Sequence, residues 1–155
     1  MMYHLILYLH VIGAAVLFGT GAGIAFFMVM AQRGKDPKTI AHVAGTVVIA
    51  DTIFTATAAM AQPITGYVLA RMQGWPLAEG WVMWALILYV VVGVFWLPVV
   101  WIQIQLRDMA RDATLRGAEL PDRYHRLYRV WFAFGFPAFA AVMAILWLMI
   151  TKPAL

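Results

Sequence analysis

Three polar side chains lie inside stretches of sequence that are otherwise apolar enough to cross a membrane: His10 in the first stretch, and Asp51 and Gln62 in the second. An ionised carboxylate at the centre of a bilayer costs about 3 kcal/mol on insertion scales, so we expect Asp51 to point into the protein and not toward lipid. In a dry interior the carboxyl is expected to be protonated and to donate to Thr55 or to a backbone carbonyl. Asp51 would then carry protons, line a polar cavity, or make a structural hydrogen bond only.

The polar residues of the second stretch share one face of a helix. At about 100° per residue, this face is roughly four turns long. It comprises Asp51, Thr55, Ala58, Gln62 and Thr65. His42 points to the opposite face. The spacing predicts a polar stripe along the second helix, with Asp51 and Thr55 as an intramembrane proton or polar site.

Pro63 follows Gln62 directly and has no amide hydrogen. The carbonyl of Ala59, four residues earlier, therefore loses its usual helical partner. We expect the Gln62 side chain either to satisfy this freed carbonyl or to face a ligand.

Histidine is the other residue type that could hold a cofactor here. His10 alone of the four histidines lies well inside an apolar stretch, on a face that could point into a helix bundle. Neutral imidazole is a common ligand of haem iron. At a rise of about 1.5 Å per residue, Gln62 and Trp84 lie near the level of His10 and would touch a haem bound there. The alternative role for His10 is a hydrogen bond to a neighbouring helix.

The depth of Asp51 differs from that of His10. The same helical rise places Asp51 on the other side of the membrane centre, near the level of Trp96, so a direct hydrogen bond between His10 and Asp51 is not expected. No ligand spacing predicts a zinc site. The chain contains no cysteine, which excludes disulfides, zinc–thiolate sites and cysteine nucleophiles. No catalytic residue can be assigned.

The composition indicates the elements that must hold these side chains. Of the 155 residues, 65% are hydrophobic and 12% are charged, against about 25% charged in soluble domains. Four apolar stretches exceed the roughly 20 residues that a helix needs to cross a bilayer. They span about 3–31, 39–70, 77–106 and 127–151. Since backbone groups in lipid need internal partners, we predict an all-α, four-helix transmembrane bundle that forms a single domain over residues 1–155.

Helix ends and basic residues predict the arrangement in the membrane. Pro37 is placed to start the second helix, and the third helix is expected to continue into water until Gly117. Basic residues are concentrated in two connections that lie on one side of a four-span protein. This side has nine basic residues, whereas the other side has only Arg71 and Lys152. The nine are Arg33, Lys35, Lys38, Arg107, Arg111, Arg116, Arg123, Arg126 and Arg129.

This asymmetry predicts a multi-pass protein of the bacterial inner membrane with both termini in the periplasm. The isoelectric point of about 9.7 then reflects loops that face an anionic membrane surface, and nucleic acid is not an expected partner. A ladder of small residues on the first helix, Ala15, Gly19 and Gly23, would let a neighbouring helix approach closely.

Several segments resemble a bacterial membrane family known as domain of unknown function twenty-two sixty-nine. They are "YLHVIGAAVLFGTG", "QPITGYVLA", "GWVMWALILYVVVGVFWLPVVWIQIQLR" and "LWLMITKP". The resemblance covers nearly the whole chain. It implies a four-helix integral membrane protein and no particular activity.

The pattern is more faintly similar to HemJ-type protoporphyrinogen oxidases and to CopD-like membrane domains. His10 matches a first-helix histidine of the HemJ-type proteins, and Lys152 and Pro153 match their Lys-Pro end. Pro63, Thr65 and Gly66 match more loosely a segment in the second helix of the HemJ-type proteins. This similarity implies haem b. With one histidine per chain, the iron would be five-coordinate, or it would be held by two histidines across a homodimer.

Three functions remain open, and they leave undecided whether the protein is an enzyme. The first is a redox protein that holds haem b or quinone near His10 and the stripe of Asp51 and Gln62. The second is a non-catalytic structural or assembly subunit of a membrane complex. The third is a proton-coupled transport element that uses Asp51.

Overall fold

Four long helices make up the computed structural model, which describes residues 1–154. They are α1 (Met2–Gly34), α2 (Pro37–Gln73), α3 (Gly80–Arg116) and α4 (Asp122–Thr151). Each is long and apolar enough to cross a membrane, and no strand occurs within residues 1–154. The prediction of an all-α bundle with four membrane-spanning helices is therefore confirmed. We call the side with the α1–α2 and α3–α4 connections the basic side.

Two helix ends follow the sequence predictions. Pro37 occupies the first turn of α2, and Asp36 caps this helix by accepting from the Thr39 amide at 3.0 Å. Asp36 also accepts from the Thr39 hydroxyl, and these hydrogen bonds hold the pKa of the Asp36 carboxyl below its usual range. α3 continues through its charged end until Gly117, which adopts a φ of 61° and terminates the helix.

A π-helical turn interrupts α2 at Asp51–Thr55. Its backbone hydrogen bond runs from the amide of Ala56 to the carbonyl of Asp51, one residue further than in an α-helix. Such single turns occur frequently at functional sites. The turn lies between the N-terminal segment of α2 (Pro37–Ala50) and its C-terminal segment (Ala56–Gln73). Regular helical periodicity did not predict it.

The helices pair differently along the bundle, and all four contribute to the packing on the basic side. There the N-terminal segment of α2 packs against α3, and α3 packs along α4. The C-terminal segment of α2 packs against α1 instead and touches α3 at few positions. The buried apolar cluster consequently lies on the basic side: Ile24, Met28, Ala31, Ile40, Ala41, Ala44, Val47, Ile102, Leu106, Ala110, Tyr124 and Trp131.

Large apolar side chains cover the outside of the bundle. Examples from each helix are Phe26, Ile53, Val94 and Phe136, all more than half exposed. An outer surface of this kind fits contact with the lipid bilayer. The predicted ladder of small residues also lies outside the packed core, since a Cβ added at Gly19 or Gly23 would meet no neighbouring atom within 4 Å among the described residues.

Candidate functional site

The side chain of Asp51 points into the protein, as its position in the polar stripe predicted. It is only 4% exposed. On α3, the indole N–H of Trp96 faces Asp51 Oδ1 at 3.4 Å, and the amide of Gln103 donates to Asp51 Oδ2 at 2.8 Å. The orientation of this amide follows from Trp131 on α4, whose indole can only donate and lies 3.2 Å from the Gln103 oxygen. A chain of donors thus runs from α4 through α3 to Asp51.

The groups that hydrogen-bond to Asp51 are all donors. No basic side chain pairs with this carboxylate among the described residues. The Thr55 hydroxyl lies beside it, buried and without a completed hydrogen bond within residues 1–154. A hydroxyl can donate or accept. The ionised carboxylate can therefore accept from Gln103 and Trp96, and the protonated form can donate to Thr55, with no movement of a helix.

A second polar cluster surrounds His10, which is 8% exposed. Its Nδ1 lies 2.8 Å from the hydroxyl of Thr65 on α2. That hydroxyl also lies 2.8 Å from the carbonyl of Ala61, and when its single hydrogen points there, Nδ1 is the donor of the bond to Thr65. The imidazole packs against the backbone at Gly66, where an added Cβ would lie 3.2 Å from the ring. Nε2 has no hydrogen-bond partner among the described residues, and in this tautomer it carries a lone pair.

Gln62 belongs to the same cluster. Its amide donates to the backbone carbonyl of His10 at 2.8 Å and so ties α2 to α1. The carbonyl of Ala59, which Pro63 frees, accepts instead from the hydroxyl of Tyr89 on α3. The prediction that Gln62 satisfies this carbonyl is therefore wrong, because a hydroxyl from a neighbouring helix reaches it.

The predicted polar stripe holds two separate clusters and not one site. Asp51, Thr55, Ala58 and Gln62 are all buried, and Thr65 is half-buried, whereas His42, predicted to lie on the opposite face, is exposed. The Asp51 cluster faces α3 and α4, and the Gln62 cluster faces α1. No hydrogen bond joins His10 to Asp51, in agreement with their different depths.

The predicted cofactor contact Trp84 joins neither cluster by a hydrogen bond within residues 1–154. Its side chain is 47% exposed on the surface of α3. Trp96 was expected at the level of Asp51 and is indeed hydrogen-bonded to it. Gln103 and Trp131 were not predicted from the sequence. Gln103 follows Trp96 by seven residues, which is two helical turns, so the two side chains share one face of α3. This spacing could have indicated that Gln103 also faces Asp51.

The cofactor predictions are not tested by these contacts. Residues 1–154 contain no group of three or more histidine, aspartate or glutamate side chains that could bind a metal ion. Grooves of about 440 Å³ and 410 Å³ lie on the basic side, away from both clusters, next to Arg129 and Arg111 respectively.

Comparison with known proteins agrees with the four helices. A family model described as "Predicted integral membrane protein (DUF2269)" matches residues 4–153. No curated protein and no solved structure matches the chain. The similarity to HemJ-type oxidases and CopD-like domains thus stays a prediction. With nearly its whole length matched, and with four helices of membrane-spanning length, this chain belongs to the DUF2269 family of predicted integral membrane proteins.

Proposed function

We propose that the protein takes up and releases protons at Asp51, as a proton-coupled element of the membrane. One observation carries this proposal: a buried carboxyl accepts from Gln103 and Trp96, has no ion-pair partner in the described chain, and lies beside the otherwise unpartnered hydroxyl of Thr55. A carboxylate paired with a fixed cation would stay ionised. A carboxyl among apolar groups alone would stay protonated.

The magnitudes support exchange between the two states. A hydrogen bond to a charged group contributes about 1.5–3 kcal/mol. The two donors on Asp51 therefore offset a cost of the same order, about 3 kcal/mol, for placing an ionised carboxylate in the membrane. Neither protonation state is then strongly favoured. The proposal is tested by infrared spectroscopy of the carboxyl C=O stretch, since a band that appears and disappears with pH in the wild type should be missing in Asp51→Asn.

Haem binding at His10 is the second candidate. The observation that favours it is the hydrogen bond between His10 Nδ1 and Thr65, which leaves Nε2 without a partner among the described residues and, when Nδ1 is the donor, with a free lone pair. Metal-ligating histidines are commonly oriented by such a bond from the other ring nitrogen. In this tautomer Nε2 offers no proton to a quinone carbonyl, so this tautomer suits haem b and the other one suits quinone. His10 would hold the iron, and bound haem would supply electron transfer or an open position for a small ligand.

A visible spectrum tests the haem proposal. Protein made with adequate haem supply should show a Soret band that His10→Ala removes while the protein stays folded. His42→Ala is the matched control, because His42 is exposed and lies on another face of α2. Folded wild-type protein that shows no Soret band with added haem would rule the proposal out.

A structural or assembly role is the third candidate, and it concerns α1. The ladder of Ala15, Gly19 and Gly23 is open in the described structure: Ala15 is exposed, and no atom of residues 1–154 lies within 4 Å of an added Cβ at either glycine. Small residues of this kind support close helix–helix contacts in membranes. We therefore propose a second copy of the chain or a partner subunit at this face. Since the chain has no cysteine, Gly19→Cys should cross-link in membranes, whereas the lipid-facing control Ile53→Cys should not. Equal cross-linking at both positions would contradict the proposal.

The orientation is also proposed. The nine-to-two distribution of basic residues between the two sides supports the basic side facing the cytoplasm of a bacterial cell. Both termini would then lie in the periplasm.

A further inference from the structure

A groove on the basic side runs between the N-terminal segment of α2 and the extended end of α3. Its volume is about 410 Å³, and it is lined by Ala41, His42, Gly45, Thr46, Ile49 and Arg111. It lies on the face of α2 opposite to the polar stripe, so it is independent of the Asp51 and His10 clusters. We propose that this groove binds the phosphate headgroup of an anionic phospholipid, with Arg111 as the principal contact.

Arg111 is held against α2 without an anionic partner in the described part of the chain. A Cβ added at Gly45 would lie 3.2 Å from Arg111 Nη2, so the guanidinium rests where α2 has no side chain. The carboxylates nearest to it in sequence are paired with other arginines, as Arg107–Asp108 and Arg116–Asp112. Its donors therefore remain available to an external acceptor.

The groove changes from polar to apolar along α2. His42 lies at the polar end, together with Arg111. Ile49 is seven residues further along the helix, about 10 Å toward the membrane centre, and its side chain is 60% exposed. A phospholipid has the same order of groups, with a phosphate at the surface and an acyl chain below it. Lys38, one turn before His42, adds positive charge on the same face of α2.

The chemistry of Arg111 favours phosphate as the group it binds. A planar guanidinium can donate two parallel hydrogen bonds to a phosphate, and it is less strongly hydrated than an ammonium group. Basic pockets between transmembrane helices are typical sites for anionic headgroups. A free phosphate ion would meet the same donors. The apolar wall at Ala41 and Ile49 adds binding only for a lipid, so the lipid is the occupant we assign.

Native mass spectrometry of the full chain in mild detergent tests the proposal. Phosphatidylglycerol and phosphatidylcholine with the same acyl chains are titrated against wild-type protein, Arg111→Gln and Arg123→Gln. Arg123→Gln is the matched control, because it removes the same charge from the same side and Arg123 lies outside the groove. We expect the wild type to retain phosphatidylglycerol in preference to phosphatidylcholine. Arg111→Gln should weaken the tightest phosphatidylglycerol site at least about tenfold, and Arg123→Gln should leave it unchanged.

A second variant separates the groove from the net charge. Gly45→Leu keeps every charged group but places a side chain where the guanidinium rests, so we expect it to weaken the same site. Glycerol phosphate, added as a soluble competitor, should fail to displace the lipid. Three results would overturn the proposal: equal loss in Arg111→Gln and Arg123→Gln, unchanged affinity in Arg111→Gln and Gly45→Leu, or displacement of the lipid by glycerol phosphate.

Discussion

The hydroxyl of Tyr89 on α3 donates to the carbonyl of Ala59 on α2, the one helical carbonyl that Pro63 deprives of its usual partner. This bond lies where the C-terminal segment of α2 otherwise touches α3 at few positions. A backbone group without a partner is costly in a membrane, where no water can replace the missing bond. The contact therefore joins the α1–α2 pair to the α3–α4 pair on the side of the molecule away from the basic connections.

Tyr89→Phe should destabilise the folded protein by about 1 kcal/mol, because it leaves the Ala59 carbonyl without a donor. The effect should be smaller in a Pro63→Ala background, where the restored amide hydrogen bonds to the same carbonyl. Unfolding in mixed micelles, measured for the two single variants and the double variant, gives the coupling between the residues. An equal cost of Tyr89→Phe in both backgrounds would contradict the assignment.

Asp51→Leu should destabilise the protein more than Asp51→Asn. The asparagine keeps one oxygen that can accept from Gln103 or Trp96. It loses the other acceptor, which should lower the free energy of unfolding by about 1 kcal/mol. The leucine leaves both donors without a partner and should cost about 2 kcal/mol or more. Unfolding free energies of the two variants check this order. Gln103→Leu should recover part of the loss in the Asp51→Leu background, because it removes one of the unpaired donors, and no recovery would argue against the network.

Asp36 makes the stability of the α1–α2 connection depend on pH. Hydrogen bonds from Thr39 lower the pKa of the folded carboxyl below the ordinary value of 3.8. The cap is therefore fully effective above that value and is lost as the pH falls through the lower folded pKa. Asp36→Asn should keep the cap and remove its pH dependence, since asparagine is also a good N-cap. Thermal unfolding from about pH 6 downward checks this, and equal slopes for both proteins would exclude a role for Asp36.

Reporter fusions test the orientation. Fusions near Gly34 and Gly117 should report the cytoplasm, and a fusion at Gly74 should report the periplasm, because positively charged loops stay inside. Cytoplasmic activity from the Gly74 fusion would reverse the topology. It would also move the proposed lipid site at Arg111 to the opposite leaflet.

Local patterns in the sequence predicted which face of α2 is buried. Asp51, Thr55 and Gln62 are buried together because helical periodicity alone puts them on one side of α2. The level of Trp96 relative to Asp51 also followed from the rise per residue. These properties need no knowledge of the neighbouring helices.

Contacts between helices could not be predicted in the same way. Tyr89 reaches the carbonyl of Ala59, and Trp131 reaches Gln103, because of how the helices rotate against one another, which depends on packing over the whole bundle. Trp84 is exposed, because the rise along a helix does not determine the direction of a side chain. The π-helical turn at Asp51–Thr55 changes the local pitch, and no residue type in that segment requires it.

Proton exchange at Asp51 is tested most directly by the infrared spectrum of the protein in lipid vesicles, titrated from about pH 4 to about pH 9. Subtracting the Asp51→Asn spectrum isolates the contribution of this carboxyl, and Asp36→Asn controls for the loss of an exposed one. We predict a C=O band of a protonated, buried carboxyl that disappears as the pH rises in the wild type and in Asp36→Asn, and that is missing in Asp51→Asn. A band from Asp51 that stays constant over the whole range, or one that is absent throughout, would contradict it.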